Sequence, residues 1–387
     1  MQRDEPGFYA QSIAGSETVR AFVPHPLPPT PALDLGGARQ QLLEQATLAV
    51  GRLDAISTLL PDPQLFLYAY VRREAVLSSQ IEGTQSSLSD LLLFELDEAP
   101  GVPFDDVQEV SNYIAALEHG MGRLREGFPL CNRLLREMHA HLMQGARGND
   151  KAPGEFRRSQ NWIGGTRPGN ARFVPAPPQE LEACMAALER YLHNTADGLP
   201  TLVRAALAHV QFETIHPFLD GNGRLGRLLI ALMLHHGGLL QEPLLYLSLY
   251  LKQHRAEYYE LLGRVRTHGD WEAWVDFFLE GVQQTATGAV STAQRLVTLF
   301  AQDTQRVQAS ASTAASTLQV LGCLGQRPVC VLKQLASASG LSFPTASKAV
   351  QTLVGLGLVH ELTGQRRNRV FVYSAYLAIL NEGGEPL

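Results

Sequence analysis

Cysteine is scarce in this chain of 387 residues, and its placement argues against two kinds of chemistry. Cys131, Cys184, Cys323 and Cys330 form no CxxC pair and stand apart from any histidines in zinc-finger spacing. Reduced, mostly buried thiols are therefore expected rather than a metal site. A long uninterrupted apolar run is also missing. The richest stretch, Leu228 to Leu251, is broken by His235, His236, two glycines, Gln241, Glu242 and Pro243, and would not span a bilayer. The opening MQRDEPGFYAQ lacks the charged-then-apolar pattern of a signal peptide, so the expected compartment is the cytoplasm, with no membrane partner. Nor is there an overall excess of positive charge: a net −6 argues against a surface coated with nucleic acid.

That average hides a local exception. Between Arg327 and Arg369 six basic residues (Arg327, Lys333, Lys348, Arg366, Arg367, Arg369) face one acid, Glu361, so this segment is +5 and the remainder −11. With 45% apolar and 18% charged residues the chain reads as globular, and its length favours two or three domains. Residues 20–31 hold five prolines and read as part of an extended lead-in over 1–34. A helical stripe follows (Leu42, Leu43, Ala46, Ala49, Val50, Leu53, Ile56, Leu60), and a second helix runs from about Leu65 towards Gly83. Further helices are expected near 106–126, 131–145, 179–194, 201–215, 224–236, 254–267 and 270–300. Asn161 to Val174 has two short β-type runs around Gly, Pro and Asn, and reads as a hairpin. The small, polar segment 301–316 fits a linker or the frayed end of a long helix, and 317–387 a separate domain.

The segment His216-Pro-Phe-Leu-Asp-Gly-Asn-Gly-Arg-Leu-Gly-Arg227 lies between two amphipathic helices. Gly221, Asn222 and Gly223 thus sit at a helix N-terminus, where free N–H groups and the positive dipole end attract phosphate. The glycines permit the torsions that turn successive N–H groups into an anion nest. Arg224 and Arg227 are three apart, on one side of the first turn, and two guanidinium forks suit a polyphosphate. Asp220 can hold an oxygen-seeking Mg²⁺. His216, four residues earlier, can take a proton from an attacking hydroxyl. Phe218 is expected to point into the core and fix the loop. Taken singly, each part has a bland reading: a turn, a helix cap, a solvated histidine, a charged face. A metal-hydrolase site built on His209, His216 and Asp220 is disfavoured, because His209 lies on an apolar helical face.

The same string resembles the signature of the Fic family, His-x-Phe-x-Asp/Glu-Gly-Asn-Gly-Arg-x-x-Arg, at every defined position. The likeness extends over most of residues 35–300. It implies a mainly α fold: a helical bundle with a β-hairpin flap, with an N-terminal helical region over 35–105 and a catalytic core over 106–300. It also implies an enzyme that moves AMP from Mg·ATP onto a protein hydroxyl. His216 would be the general base and Asp220 the Mg²⁺ ligand. Gly221, Asn222 and Gly223 would cradle the α- and β-phosphates, Arg224 would hold the diphosphate, and Arg227 the γ-phosphate. Flap residues Ile163, Gly164, Gly165 and Thr166 would cover the nucleotide and pair with an extended target segment. Tyr258 is a candidate for the adenine side, with a core ring as the alternative. Intact Gly221-Asn222-Gly223 implies AMP transfer, because phosphorylating relatives depart at the second glycine.

Ser78 and Glu82 are four apart on one helical face and Gly83 follows. In one class of the family such a helix is inhibitory, which implies that Glu82 pairs with Arg227 in the resting enzyme. Beyond the core, Val331–Gly340, Leu341–Val354 and two strands around Gln365-Arg-Arg-Asn368 resemble a winged helix-turn-helix. Its +5 charge points to DNA phosphates through Lys348, Arg366, Arg367 and Arg369, with a protein-docking or dimerising module as the alternative. Two other readings of the whole stand beside the transferase: an ATP-sensing transcription regulator and a purely structural interaction protein. Self-modification and a homodimer are both left open.

Overall fold

The structure is a computed structural model and describes residues 5–15, 17–59, 64–96, 104–145, 149–194, 196–310, 314–364 and 368–385. In chain order it opens with β1 (Gly7–Ala14), β2 (Glu17–Pro24), α1 (Ala38–Leu59), α2 (Gln64–Ile81), α3 (Leu88–Phe94) and α4 (Phe104–Arg125). Then come α5 (Asn132–Leu142), α6 (Pro178–His193), α7 (Thr201–Ile215), α8 (Asn222–His236), α9 (Ser248–Gln253), α10 (Arg255–His268) and α11 (Trp271–Ser310). The chain closes with α12 (Ala314–Gln326), β3 (Val329–Val331), α13 (Leu332–Ser339), α14 (Phe343–Gly355), β4 (His360–Glu361), β5 (Val370–Val372) and α15 (Ser374–Asn381). It divides into two compact units, Met1–Asp54 with Gln108–Ala286, and Ala55–Val107 with Thr287–Leu387.

The first unit is built around α7, whose residues from Leu202 to Ile215 are all buried. A helix covered on every side must satisfy its polar groups internally, and several on α7 are. Arg204 donates to Asp197 and to the Tyr191 carbonyl, Gln211 donates to the His25 carbonyl at 2.9 Å, and Thr214 Oγ1 donates to the Val210 carbonyl at 2.7 Å. The indole N–H of Trp274 donates to the Ala206 carbonyl at 2.8 Å, tying α11 to the centre of α7. Helix α8 packs along α7, α6 lies against α7, and α5 lies against α8.

Two expectations need correction here, and a third is narrowed. The proline-rich start is not a bare lead-in, because β1 and β2 pair antiparallel from Gly7↔Pro24 to Ala14↔Glu17. Ala21, Phe22 and Val23 are buried. Only Pro24 of the five prolines lies in the strand, at its end, where a missing N–H is tolerated. Conversely, the hairpin expected over Asn161–Val174 shrinks to one bridge, Ile163↔Phe173. Gly164 and Gly165 take φ of 69° and 76°, outside the β region, and Pro168–Asn170 forms a short 3₁₀ turn. Finally, of the two readings of 301–316, linker and end of a long helix, the helical one holds up to Ser310, as its alanine- and glutamine-rich composition allows. Residues 311–313 lie outside the described residues.

The second unit contains the winged helix. Gly340, at φ 66°, caps α13, and Ser342 caps α14 by accepting the Thr345 N–H. The strands form an antiparallel sheet in the order β3-β5-β4. Helix α2 belongs to this unit and packs against α12, α15 and α3. Polar contacts fasten it: Arg73 donates to the Glu382 carbonyl at 2.6 Å, and the Gln80 amide donates to the carbonyls of Ser86 (2.9 Å) and Gly384 (3.3 Å). Arg295 grips the Glu382 carboxylate with both nitrogens at 2.6 Å, and the buried Tyr373 hydroxyl donates to Asp303 at 2.7 Å.

Candidate functional site

Helix α7 ends where His216 turns into the left-handed region, at φ 51° and ψ 62°. A non-glycine residue there is disfavoured by roughly 1–2 kcal/mol, so the loop needs restraints. Arg157 supplies them. Its backbone N–H donates to the Pro217 carbonyl at 2.9 Å. Its guanidinium donates to the carbonyls of His216 (2.9 Å), Ser159 (3.1 Å), Ile215 (3.4 Å) and Ala176. Burial holds this guanidinium down to about 10.

Phe218 is fully buried, as expected from its place in the loop. The Asn222 side chain clasps it, accepting the Phe218 N–H and donating to the Phe218 carbonyl, both at 2.9 Å. The amide of Asn222 thus shapes the loop, and any contact with phosphate falls to its backbone. His139 stacks on the Phe218 ring at 3.8 Å. Its Nδ1 accepts the Gly154 N–H at 2.9 Å, which fixes the proton on Nε2, and Nε2 donates to the Asp220 carbonyl at 3.0 Å.

Gly221 takes φ 74° at the N-cap of α8, and Leu225 is the first residue whose N–H reaches back, to the Gly221 carbonyl. The N–H groups of Asn222, Gly223 and Arg224 precede that bond and present the positive end of the helix. The Asp220 side chain is half exposed. Its carboxylate accepts the Gly221 N–H at 2.6 Å and lies 3.7 Å from Arg224 Nη2. Among the described residues no group of three or more His, Cys, Asp or Glu could hold a metal ion. A single half-exposed carboxylate fits Mg²⁺, which keeps several waters and takes its other ligands from phosphates.

His216 Nδ1 lies 4.0 Å from Glu213. Burial, then the cations Arg266 and Arg157, push the imidazole well below its ordinary range, so it is neutral and able to accept a proton. Arg266 is itself anchored on Thr214 Oγ1 and the Glu213 carbonyl, each at 3.1 Å, and its guanidinium lies 4.1 Å from the Phe173 ring. Arg224 is buried and paired with Glu109 at 3.0 Å. Arg227 is buried one turn further along α8. Gly226 lets α7 and α8 approach, because a Cβ there would meet Glu213 at 2.6 Å.

The loop therefore gathers His216, Asp220, Gly221, Asn222, Gly223, Arg224 and Arg227 within the first unit. Ile163, Gly164, Gly165 and Thr166 form the first arm of the flap segment, bridged at Ile163 to Phe173. Tyr258 lies in the core, 1% exposed, bonded to His209 Nε2 at 3.0 Å. His209 Nδ1 in turn bonds to the Gly226 carbonyl at 2.9 Å, so it is a satisfied core histidine. Ser78 is buried in α2, and Glu82 is exposed just past its end, with its N–H on the Ser79 carbonyl. Lys348 is exposed on α14, Arg369 lies 3.7 Å from Glu361, and Arg366 and Arg367 lie outside the described residues. Sequence reasoning missed Arg157, His139, Glu109 and Arg266. Each is 50 or more residues from one of its loop partners.

The loop thus brings a neutral histidine, a helix N-terminus, one carboxylate and two buried arginines together on a helical scaffold. Residues 40–122 match the N-terminal region of the Fic/DOC family and residues 129–234 the Fic/DOC family itself. Residues 313–362 match the IclR helix-turn-helix domain. Among similar proteins, the protein adenylyltransferase Fic of Drosophila erecta is 30% identical over 186 residues, 48% of this chain and 34% of that protein. The Aedes aegypti protein of the same name is 37% identical over 155 residues, 39% of this chain and 28% of its own. The chain thus spans about a third of the length of these relatives. A Fic family protein from Desulfovibrio desulfuricans G20 has the same fold, with a TM-score of 0.59 at 22% identity over 88% of this chain and 97% of that one. A Fic-domain signaling protein from Bacteroides thetaiotaomicron has a TM-score of 0.53 at 22% identity, covering 65% and 97%.

Proposed function

We propose that this chain transfers AMP from Mg·ATP to a hydroxyl side chain of a protein. The observation that carries this is the restrained loop at the start of α8, with neutral His216 at one end and the phosphate-facing N–H groups at the other. The target oxygen attacks the α-phosphorus as His216 takes the hydroxyl proton. A new P–O bond forms, the bridging bond to the β-phosphate breaks, and pyrophosphate leaves. The N–H groups of Asn222 and Gly223, with Arg224, hold the α- and β-phosphates, and Arg227 the γ-phosphate. Asp220 would hold Mg²⁺, which supplies charge neutralisation when bound. Positioning and electrostatics dominate such a reaction.

The autoinhibition implied by the resemblance belongs to the same reading and rests on sequence: Glu82, following Ser78 by one turn, would occupy Arg227 in place of the γ-phosphate. A charge-assisted hydrogen bond of roughly 1.5–3 kcal/mol corresponds to a ~10- to 150-fold shift. A second reading, an ATP-sensing transcription regulator, is favoured only by the helix-turn-helix match at 313–362.

Label transfer from ATP carrying its isotope on the α- or the γ-phosphate tests the proposal, with Mg²⁺ and cell extract. The expected result is protein label from the α-position only, raised at least ~10-fold by Glu82→Gly and reduced ~10²–10⁴-fold in His216→Ala. Label from the γ-position refutes AMP transfer. No label from any variant, with specific promoter binding, establishes the regulator instead.

A further inference from the structure

The tip of the flap is weakly built. Apart from the Ile163↔Phe173 bridge, it contains two glycines at positive φ, which lose much backbone entropy on ordering. Its base is fastened: the Phe22 N–H donates to the Val174 carbonyl at 2.9 Å, and the rings of Phe22 and Phe173 lie 6.1 Å apart. Its tip is folded on itself by Asn170, whose Oδ1 accepts the N–H groups of Thr166 and Arg167, each at 3.0 Å.

One carboxylate ties that tip to the N-terminal hairpin. Glu17, the first residue of β2, accepts Arg167 Nη1 at 2.8 Å with one oxygen and the Gly169 N–H at 2.7 Å with the other. A Cβ on Gly169 would come within 2.3 Å of the Glu17 carboxylate oxygen, so an alanine there would push that carboxylate out of its present position. The Arg167 guanidinium holds the Glu17 carboxyl below its ordinary value, so the pair is charged at neutral pH. An exposed ion pair contributes little by itself. Here it acts on a loop tip whose other bonds, those of Asn170 and the 3₁₀ turn, are internal to the loop, and it captures a backbone N–H at the same time.

We propose that Glu17 is a positioning residue: it locks the flap tip so that the flap's backbone edge is held ready for the target protein. This rests on the transfer reading above. The N-terminal hairpin, from a segment that sequence alone presents as a lead-in, thereby becomes part of the target-binding apparatus. It would set affinity for the protein substrate more strongly than affinity for ATP, which the flap only covers.

The test uses the full chain with Glu17→Gln, Glu17→Ala, Gly169→Ala and the charge swap Glu17→Arg with Arg167→Glu. Hydrogen exchange of amides 163–170 reads the lock without any activity. Glu17→Ala and Gly169→Ala are expected to exchange ~5- to 10-fold faster than wild type, with partial recovery in the swap. Transfer of α-labelled AMP is then measured at varied extract and varied ATP, in wild-type and Glu82→Gly backgrounds. The half-saturating extract concentration should rise ~5- to 10-fold in Glu17→Ala while that for ATP stays within about twofold. Transfer with unchanged flap exchange overturns the lock. Parallel loss of ATP and target saturation overturns the selective role. Absence of transfer from every variant, wild type included, overturns the transfer reading and the presenting role with it.

Discussion

Replacing Arg157 by methionine keeps most of the side-chain volume and removes every guanidinium bond around the His216 turn. Three of those bonds, to the carbonyls of His216, Ser159 and Ala176, are close, and a fourth, to Ile215, is long at 3.4 Å. Hydrogen bonds to a charged partner contribute ~1.5–3 kcal/mol each, so three amount to roughly 4.5–9 kcal/mol. Against this stands the cost of burying the cation, whose pKa is held at about 10 from an ordinary 12.5, roughly 3 kcal/mol. The balance is a loss of about 2–6 kcal/mol. For a unit of this size each kcal/mol moves the melting temperature by ~2–4 °C, so a fall of about 10 °C is central. The bonds also hold His216 at φ 51°, so AMP transfer should fall more than ATP binding at a temperature where both proteins are folded. Arg157→Lys, with a point charge in place of a fork, should lie between. Calorimetry and label transfer are the assays. A methionine variant melting within 2 °C of wild type would refute the energetic argument, and unchanged transfer in a folded variant would refute the positioning one.

Two further outcomes follow from the buried charges. His139 and His209 are pushed down to about 4 and His216 to about 3 by burial. Each therefore takes up a proton more readily unfolded than folded. Stability present above pH 6.5 is lost as pH falls from about 6.5 towards 4, with a limiting slope of about 4 kcal/mol per pH unit for three protons. Urea midpoints at pH 7.5, 6 and 5 should fall steadily, and a flat profile contradicts this. Glu109 occupies Arg224, where under the proposed function it would compete with phosphate. Glu109→Gln should tighten ATP binding roughly fivefold, for about 1 kcal/mol from a part-exposed pair. Isothermal titration reads this directly, and weaker binding would mean that Glu109 orients the arginine instead.

What sequence revealed and what it hid divides along a physical line. The loop and helix start from His216 to Arg227 were legible because their signals are local: a buried Phe218, Gly221 at the N-cap and the first turn of α8 follow one another in the chain. The winged helix was legible through its caps, Gly340 and Ser342, for the same reason. The restraints on the loop were not, since Arg157, His139 and Glu109 reach it from other elements and carry no local pattern. The N-terminal strands were masked by prolines that fall almost entirely after β2. The flap erred the other way: its residues read as strands, but two glycines at positive φ take the backbone out of the ladder.

Helix α2, which carries Ser78 and leads into Glu82, finds its packing partners in α12 and α15 and its polar anchors in Glu382 and Gly384. A shortened chain ending before Ala314 would lose all four together. The part of α2 that α12 and α15 cover would be left to water, inviting aggregation, and its register would be set only by α3 and what else remains. Higher activity in such a fragment would then report a helix that has lost its bed, and could not be credited to release of a ligand from the wing. Dissecting this protein therefore calls for point substitutions in the intact chain.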